Sequence, residues 1–216
     1  MKTLMLSIAF LLSTLLTQCN RDPFTYVKIH TDYGDMKVKL YNSTPGHRDN
    51  FIKLVKEHYY DDLLFHRVIR NFMIQGGDPQ SRNAAPNVHL GSGGPGYQIP
   101  AEIGRYHFKG ALAAARTGGP SNPQKRSSGS QFYIVQGRPV TEDRLHQMEQ
   151  QKGIKYTPED IKRYTENGGT PFLDNDYTVF GEVIEGLEVI DKIAQVPTMP
   201  GDRPQKDVKM KIELVK

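Results

Sequence analysis

Apolar residues recur at every second position near both ends of this 216-residue chain. Residues 26–31 and 36–41 alternate (Val27, Ile29; Met36, Val38, Leu40) around Asp32-Tyr33-Gly34-Asp35, the pattern of a β-hairpin. Val208, Met210, Ile212 and Leu214 alternate with Lys209, Lys211 and Glu213, the pattern of a half-buried strand. A chain that enters and leaves its fold through strands can close a sheet on itself. Between them, residues 64–69, 72–75, 111–115, 131–136 and 177–184 read as short strands, broken by Gly- and Pro-bearing loops at 91–96 and 118–123. With 20 glycines and 14 prolines, about one residue in six, and 37% hydrophobic residues, the chain is turn-rich and globular rather than fibrous or disordered.

Two helices are expected against the sheet. Phe51, Leu54, Val55, His58 and Tyr59 share one helical face, and Leu187, Ile190 and Ile193 follow Gly186 at helical spacing. Residues 138–169 are polar and helix-prone and read as an insert. Thr141-Glu142-Asp143 and Thr157-Pro158-Glu159-Asp160 both resemble helix starts, so two surface helices joined near Gly153 are expected.

Before all of this, residues 4–16 form an apolar run behind Lys2, too short for a bilayer of ~30 Å but suited to a signal-peptide core. Leu16-Thr17-Gln18-Cys19 resembles a bacterial lipobox, with Gln18 where a small residue is usual. The expected organisation is a signal peptide at 1–18, a lipidated Cys19 opening a short tether at 19–23, and one domain over 24–216. The mature protein is then exported and anchored by lipid on the periplasmic or outer-envelope side of a bacterial membrane.

Several function classes drop out. Basic and acidic residues number 28 and 24, spread without a block of five like charges, so no nucleic-acid partner is expected. One cysteine and seven histidines without CxxC or HExxH spacing leave no metal site, and no cofactor is expected. Gly91-Ser92-Gly93-Gly94-Pro95-Gly96 fits G-x-G-x-x-G, but no strand precedes it and Pro95 and Pro100 oppose a helix after it. There is no G-x-S-x-G elbow for a nucleophilic serine.

The segment richest in chemistry is Phe65-His66-Arg67-Val68-Ile69-Arg70-Asn71-Phe72-Met73-Ile74-Gln75-Gly76-Gly77-Asp78. Alternation places Phe65, Arg67 and Ile69 on one face and His66 and Val68 on the other. Periodicity alone makes Arg67 a surface or ion-paired residue, and Phe72 and Met73 ordinary core.

The same segment resembles the signature of the cyclophilin family of peptidyl-prolyl isomerases. The likeness continues through residues 91–97, 110–117 and 130–133 and the stretch ending Val179-Phe180-Gly181. It implies a mainly β fold, a closed eight-stranded antiparallel barrel capped by two α-helices, here with the helical insert. It also implies catalysis of rotation about X-Pro bonds, assisting the folding of exported proteins. Arg67, Phe72 and Gln75 are the implied catalytic residues. Met73, Gly91, Ala115, Arg116, Gln131, Tyr133, Phe172, Leu173 and Tyr177 are the implied substrate contacts, with Ala115 and Arg116 pairing their main chain with the peptide. Tyr133 stands where phenylalanine is common, Phe172 where many eukaryotic members have tryptophan, and Tyr177 where they often have histidine. Proline-containing or unfolded segments are the implied partners, and a monomer is expected. The same groove without turnover makes a proline-peptide binding module, and recruitment through the insert makes an adaptor; an intact Arg67 favours the enzyme.

Overall fold

The hairpin forms where the alternation puts it. In the computed structural model, which describes residues 24–215, β1 (Thr25–Thr31) and β2 (Gly34–Leu40) pair antiparallel from Thr25↔Leu40 to Thr31↔Gly34. The apolar run at 4–16 and Cys19 lie outside the described residues. Helix α1 (Pro45–Lys56) follows, then β3 (Leu63–Leu64), β4 (Arg67–Ile69), β5 (Met73–Gly76), β6 (Gln98–Ile99), β7 (Ala111–Ala114), β8 (Ser127–Ser128) and β9 (Phe132–Val135). Helices α2 (Glu142–Lys152) and α3 (Pro158–Glu166), strand β10 (Val179–Glu185), helix α4 (Leu187–Ile193) and β11 (Lys209–Leu214) complete the chain.

Nine of the strands make one curled antiparallel sheet in the order β3-β11-β1-β2-β10-β7-β9-β5-β4, and β6 pairs with β8 as a separate ribbon. This departs from the expected closed, eight-stranded barrel. The two end strands, β3 and β4, are consecutive in the chain, yet no ladder joins them. The segment leading into β11 takes those bonds instead: Phe65 N–H donates to Val208 O (2.9 Å) and Val68 N–H to Asp202 O (2.8 Å). Residues 64–69 are therefore not one strand. The alternation breaks with it: Phe65 joins Val68 in the main core, and His66 lines the same opening as Arg67.

The main core fills the inside of the curl, under α1 and α4. Val27, Ile29, Met36 and Val38 meet there across β1 and β2, with Phe51, Leu54 and Val55 from α1 and Val189, Ile190 and Ile193 from α4. Helix α1 begins earlier and ends sooner than the apolar spacing suggests. Pro45 presets its first turn, and the distant Glu102 carboxylate accepts from the N–H groups of Gly46 and His47 (3.0 and 2.9 Å), satisfying donors that a helix start leaves open. His58, expected on its buried face, lies beyond its end, exposed and at φ +55°.

The 138–169 segment folds as its caps dictate. The Thr141 hydroxyl accepts from Arg144 N–H, and Thr157 and Asp160 form a reciprocal capping box behind Pro158. Gly153 ends α2 at φ +63°, a conformation that costs a residue with a Cβ. Leu145, Met148, Tyr156 and Tyr164 bury themselves against Phe108 in a small core of their own.

Candidate active site

Strands β5, β7 and β9 are buried on both faces, and the pleat divides their side chains between two jobs. Ile74, Leu112, Phe132 and Ile134 point into the main core. Met73, Ala111, Ala113, Tyr133 and Val135 point outward and form a second cluster with Leu173 and Val179. Register aligns that outer face. Arg67 pairs with Gln75, Gln75 with Tyr133, Tyr133 with Ala113 and Ala113 with Val179, so one row crosses five strands on the same side. A slip of one residue would turn the row inward.

Over this row lies a hollow of about 600 Å³. Phe72, Met73, Tyr133 and Leu173 give it apolar walls, Arg67, Gln75 and His66 stand on one side, and Ala115, Arg116 and Tyr177 on the other. Phe72 is held by its own carbonyl, which accepts from the N–H groups of Gln136 and Gly137, both at 3.0 Å. Leu173 closes a short turn of 3-10 helix over Pro171–Leu173. A second, shallower hollow shares Gln75, Gly91, Ala115 and Arg116 with the first and extends along residues 91–98 to Gln131.

The polar side of the hollow is a chain of hydrogen bonds whose direction is forced. Gln131 Nε2 donates to the carbonyls of Gly91 (3.0 Å) and Gly93 (2.7 Å), which uses both of its protons. Its oxygen must therefore accept, and Gln75 Nε2 donates to it at 3.1 Å. That leaves Gln75 Oε1 facing Arg67 Nη1 at 3.5 Å. Asp202 approaches Arg67 Nε at 3.4 Å from the opposite side. Both partners of that ion pair are about 40% exposed, so it orients the guanidinium more than it stabilises the fold. The loop that ends the amide chain is itself pinned: buried Asp78 accepts from Gly91 N–H (2.6 Å) and Gly93 N–H (3.3 Å). A Cβ on Gly93 would run into Asp78 Oδ1, so the loop's glycines serve close approach here, and no helix follows them.

Three of the implied contacts are also tied into the protein's own structure. Ala115 offers a wall, but its N–H already donates to Gln131 O (2.9 Å) and its carbonyl already accepts from Ser128 N–H (2.8 Å). Phe172 is 50% exposed and leans on the Phe72 ring at 5.5 Å, forming an outer rim and not a wall. Arg116 lies flat over Tyr177 (4.5 Å to the ring centroid) and donates to Asp176 O, so its cation is held at the far rim.

Sequence reasoning missed His66 and residues 199–203 as site components. His66 is 3% exposed, and burial lowers its pKa to about 4, so a neutral imidazole sits beside Arg67. Met199, Pro200, Gly201 and Arg203 line the hollow, and Pro200-Gly201 signals a turn without signalling chemistry. Also missed was a buried polar group behind Tyr133, made by His107 and Asp174.

A model of the family described as "Cyclophilin type peptidyl-prolyl cis-trans isomerase/CLD" matches residues 26–213. A Staphylococcus aureus (strain USA300) protein named for peptidyl-prolyl cis-trans isomerase activity is 37% identical over 183 residues, covering 84% of this chain and 87% of its own length. A Staphylococcus haemolyticus protein of the same name is 38% identical over 185 residues, covering 84% and 86%. Among solved structures, a Cryptosporidium parvum cyclophilin type peptidyl-prolyl cis-trans isomerase superposes with a TM-score of 0.66 at 26% identity, covering 89% of this chain and 98% of that one. The same protein in the presence of the dipeptide Ala-Pro gives a TM-score of 0.64. With its outer-face hollow, oriented arginine and curled antiparallel sheet, the chain belongs to the cyclophilin-type peptidyl-prolyl cis-trans isomerases.

Proposed function

We propose that this isomerase turns X-Pro bonds in flexible segments of exported proteins, working from a lipid anchor on Cys19 at the periplasmic or outer-envelope side of a bacterial membrane. The apolar run, the lipobox-like Cys19 and the short tether at 19–23 support the anchor. The observation that carries the catalytic reading is the forced amide chain, which aims one cation at the mouth of an apolar hollow.

Rotation about a peptide bond breaks amide resonance, with a barrier of ~18–20 kcal/mol, and no covalent bond has to change. In the twisted amide the nitrogen regains its lone pair and the carbonyl loses polarity. Phe72, Met73, Tyr133 and Leu173 hold the proline ring in surroundings that favour this less dipolar state. Arg67 donates to the imide nitrogen or the neighbouring carbonyl as the bond twists. Acceleration of a thousandfold takes about 4 kcal/mol, within reach of one charge-assisted hydrogen bond plus desolvation. Gln75, held by Gln131, faces the guanidinium with its oxygen and keeps its second amide proton for the substrate backbone. Ala115 N–H is already bonded, so main-chain pairing with the peptide draws on the second lone pair of the Ala115 carbonyl and on Arg116.

Refolding of a denatured protein limited by proline isomerisation tests the reading. Uncatalysed, its slow phase lasts tens to hundreds of seconds. The phase should shorten in proportion to added enzyme. Tetrapeptide turnover with an unchanged refolding phase would confine the protein to small peptides and contradict the folding role.

A further inference from the structure

Behind the Tyr133 wall, Asp174 is fully buried and accepts four hydrogen bonds. Its Oδ1 takes the backbone N–H and the Nδ1 of His107, both at 2.8 Å. Its Oδ2 takes the hydroxyls of Tyr156 (2.7 Å) and Tyr164 (2.6 Å), which come from the 138–169 segment. Four donors fill a carboxylate's acceptor sites. With Nδ1 held by Asp174, the other ring nitrogen of His107, Nε2, hydrogen-bonds with the Tyr133 hydroxyl at 3.0 Å. The His107 and Tyr133 rings lie within 11° of parallel.

We propose that Asp174 and His107 are positioning residues for the proline hollow, and that Tyr156 and Tyr164 make the helical segment part of the active site by holding Asp174. The proposal rests on the reading of Tyr133 and Leu173 as proline-pocket walls. Tyr133 carries a hydroxyl into an otherwise apolar wall. Bonded to His107, that hydroxyl is turned away from the hollow, and the wall facing the proline is ring surface alone. Asp174 also follows Leu173 directly, so the carboxylate that fixes His107 fixes a second wall. Carboxylate, imidazole and hydroxyl in line suggest a nucleophile, but burial pushes the Tyr133 phenol well above its ordinary pKa. It stays protonated, and the line is a scaffold.

The test is a double-mutant cycle on the full chain, reading kcat/KM with a proline tetrapeptide at a temperature well below every variant's Tm. Tyr156→Phe/Tyr164→Phe keeps both rings and removes two donors, and should lower kcat/KM about fivefold, the effect of a lost hydrogen bond felt at a distance. In the Tyr133→Phe background the same pair should cost clearly less, because the link through His107 is already cut and only the route through Leu173 remains. A purely structural role predicts equal losses in both backgrounds, and that result, or no loss in either, overturns the proposal. If the double variant does not fold, either single variant is read the same way. Arg67→Ala is the accompanying control. If it keeps full activity, the underlying site reading fails and the proposal falls with it; if it loses activity while the cycle is additive, the positioning role alone fails.

Discussion

Two lines of hydrogen bonds converge on the same hollow, one wet and one dry. The wet line runs from Arg67 through Gln75 and Gln131 to the carbonyls of Gly91 and Gly93. Its members are neutral amides apart from one cation, and its charged end stands in solvent beside Asp202. The dry line runs from Tyr133 through His107 to Asp174, Tyr156 and Tyr164, all buried. The solvent end of the wet line, Arg67, can give its donors to a substrate, since water replaces whatever is withdrawn, while its inner end, Gln131, is as buried as the dry line. A dry line cannot, because each broken bond leaves a buried group unsatisfied. Chemistry therefore belongs to the first and shape to the second.

The largest expected effect breaks that division at its wet end. Arg67→Ala should lower kcat/KM by about a hundred- to a thousandfold, since the guanidinium's stabilisation of the twisted amide is lost. Its Tm should stay within about 2 °C of the parent, because exposed ion pairs contribute little. Parallel steady-state kinetics and calorimetry check both halves. A large drop in Tm with modest kinetic loss would reverse the assignment of roles.

A smaller effect sharpens the comparison, because His66 is a dry group on the wet side. Its folded pKa of about 4 lies below the 6.5 of an ordinary imidazole, so the unfolded chain binds the proton more readily. The stability involved is whole above pH 6.5 and is lost as pH falls through 4, in all about 3 kcal/mol. The carboxylates with lowered pKa, such as Glu102, Asp176 and Asp191, begin to lose their contribution only as pH falls into the ordinary carboxylate range, so most of the His66 window lies above theirs. His47 shifts in the same direction, also by burial, so the comparison must be between parent and His66→Gln. Urea unfolding from pH 7 to 4 should show a shallower fall in the variant. Identical slopes would mean that His66 is not held neutral.

The wet line's residues came from the resemblance, since spacing alone read Arg67 as surface and Phe72 and Met73 as core, whereas His107 and Asp174 came from neither. Arg67, Phe72, Met73 and Gln75 lie within nine residues and carry a distinctive mixture of side chains. The helix starts at Thr141 and Thr157 and the stop at Gly153 were also readable, because caps are local chemistry. His107 and Asp174 are 67 residues apart in segments with no period, so nothing local joins them. The break between β3 and β4 was hidden for a different reason. Alternation looks the same in one strand or two, and the groups that separate them, Asp202 O and Val208 O, arrive from more than a hundred residues away. Phe172 was placed as a contact by resemblance, and it packs on the Phe72 ring at the rim.

The central claim is that the outer face of β5 and β9, and not the neighbouring shallow hollow, receives the proline ring. Methyl-labelled methionine reports on this directly, since among the described residues only Met73 and Met199 line the hollow, and Met73 is the one in its apolar wall. With its signal assigned through Met73→Leu, a peptide containing Ala-Pro should show nuclear Overhauser contacts between the proline ring protons and the Met73 methyl. Contacts to Tyr97, in the shallow hollow, with the Met73 methyl unperturbed, would contradict the account.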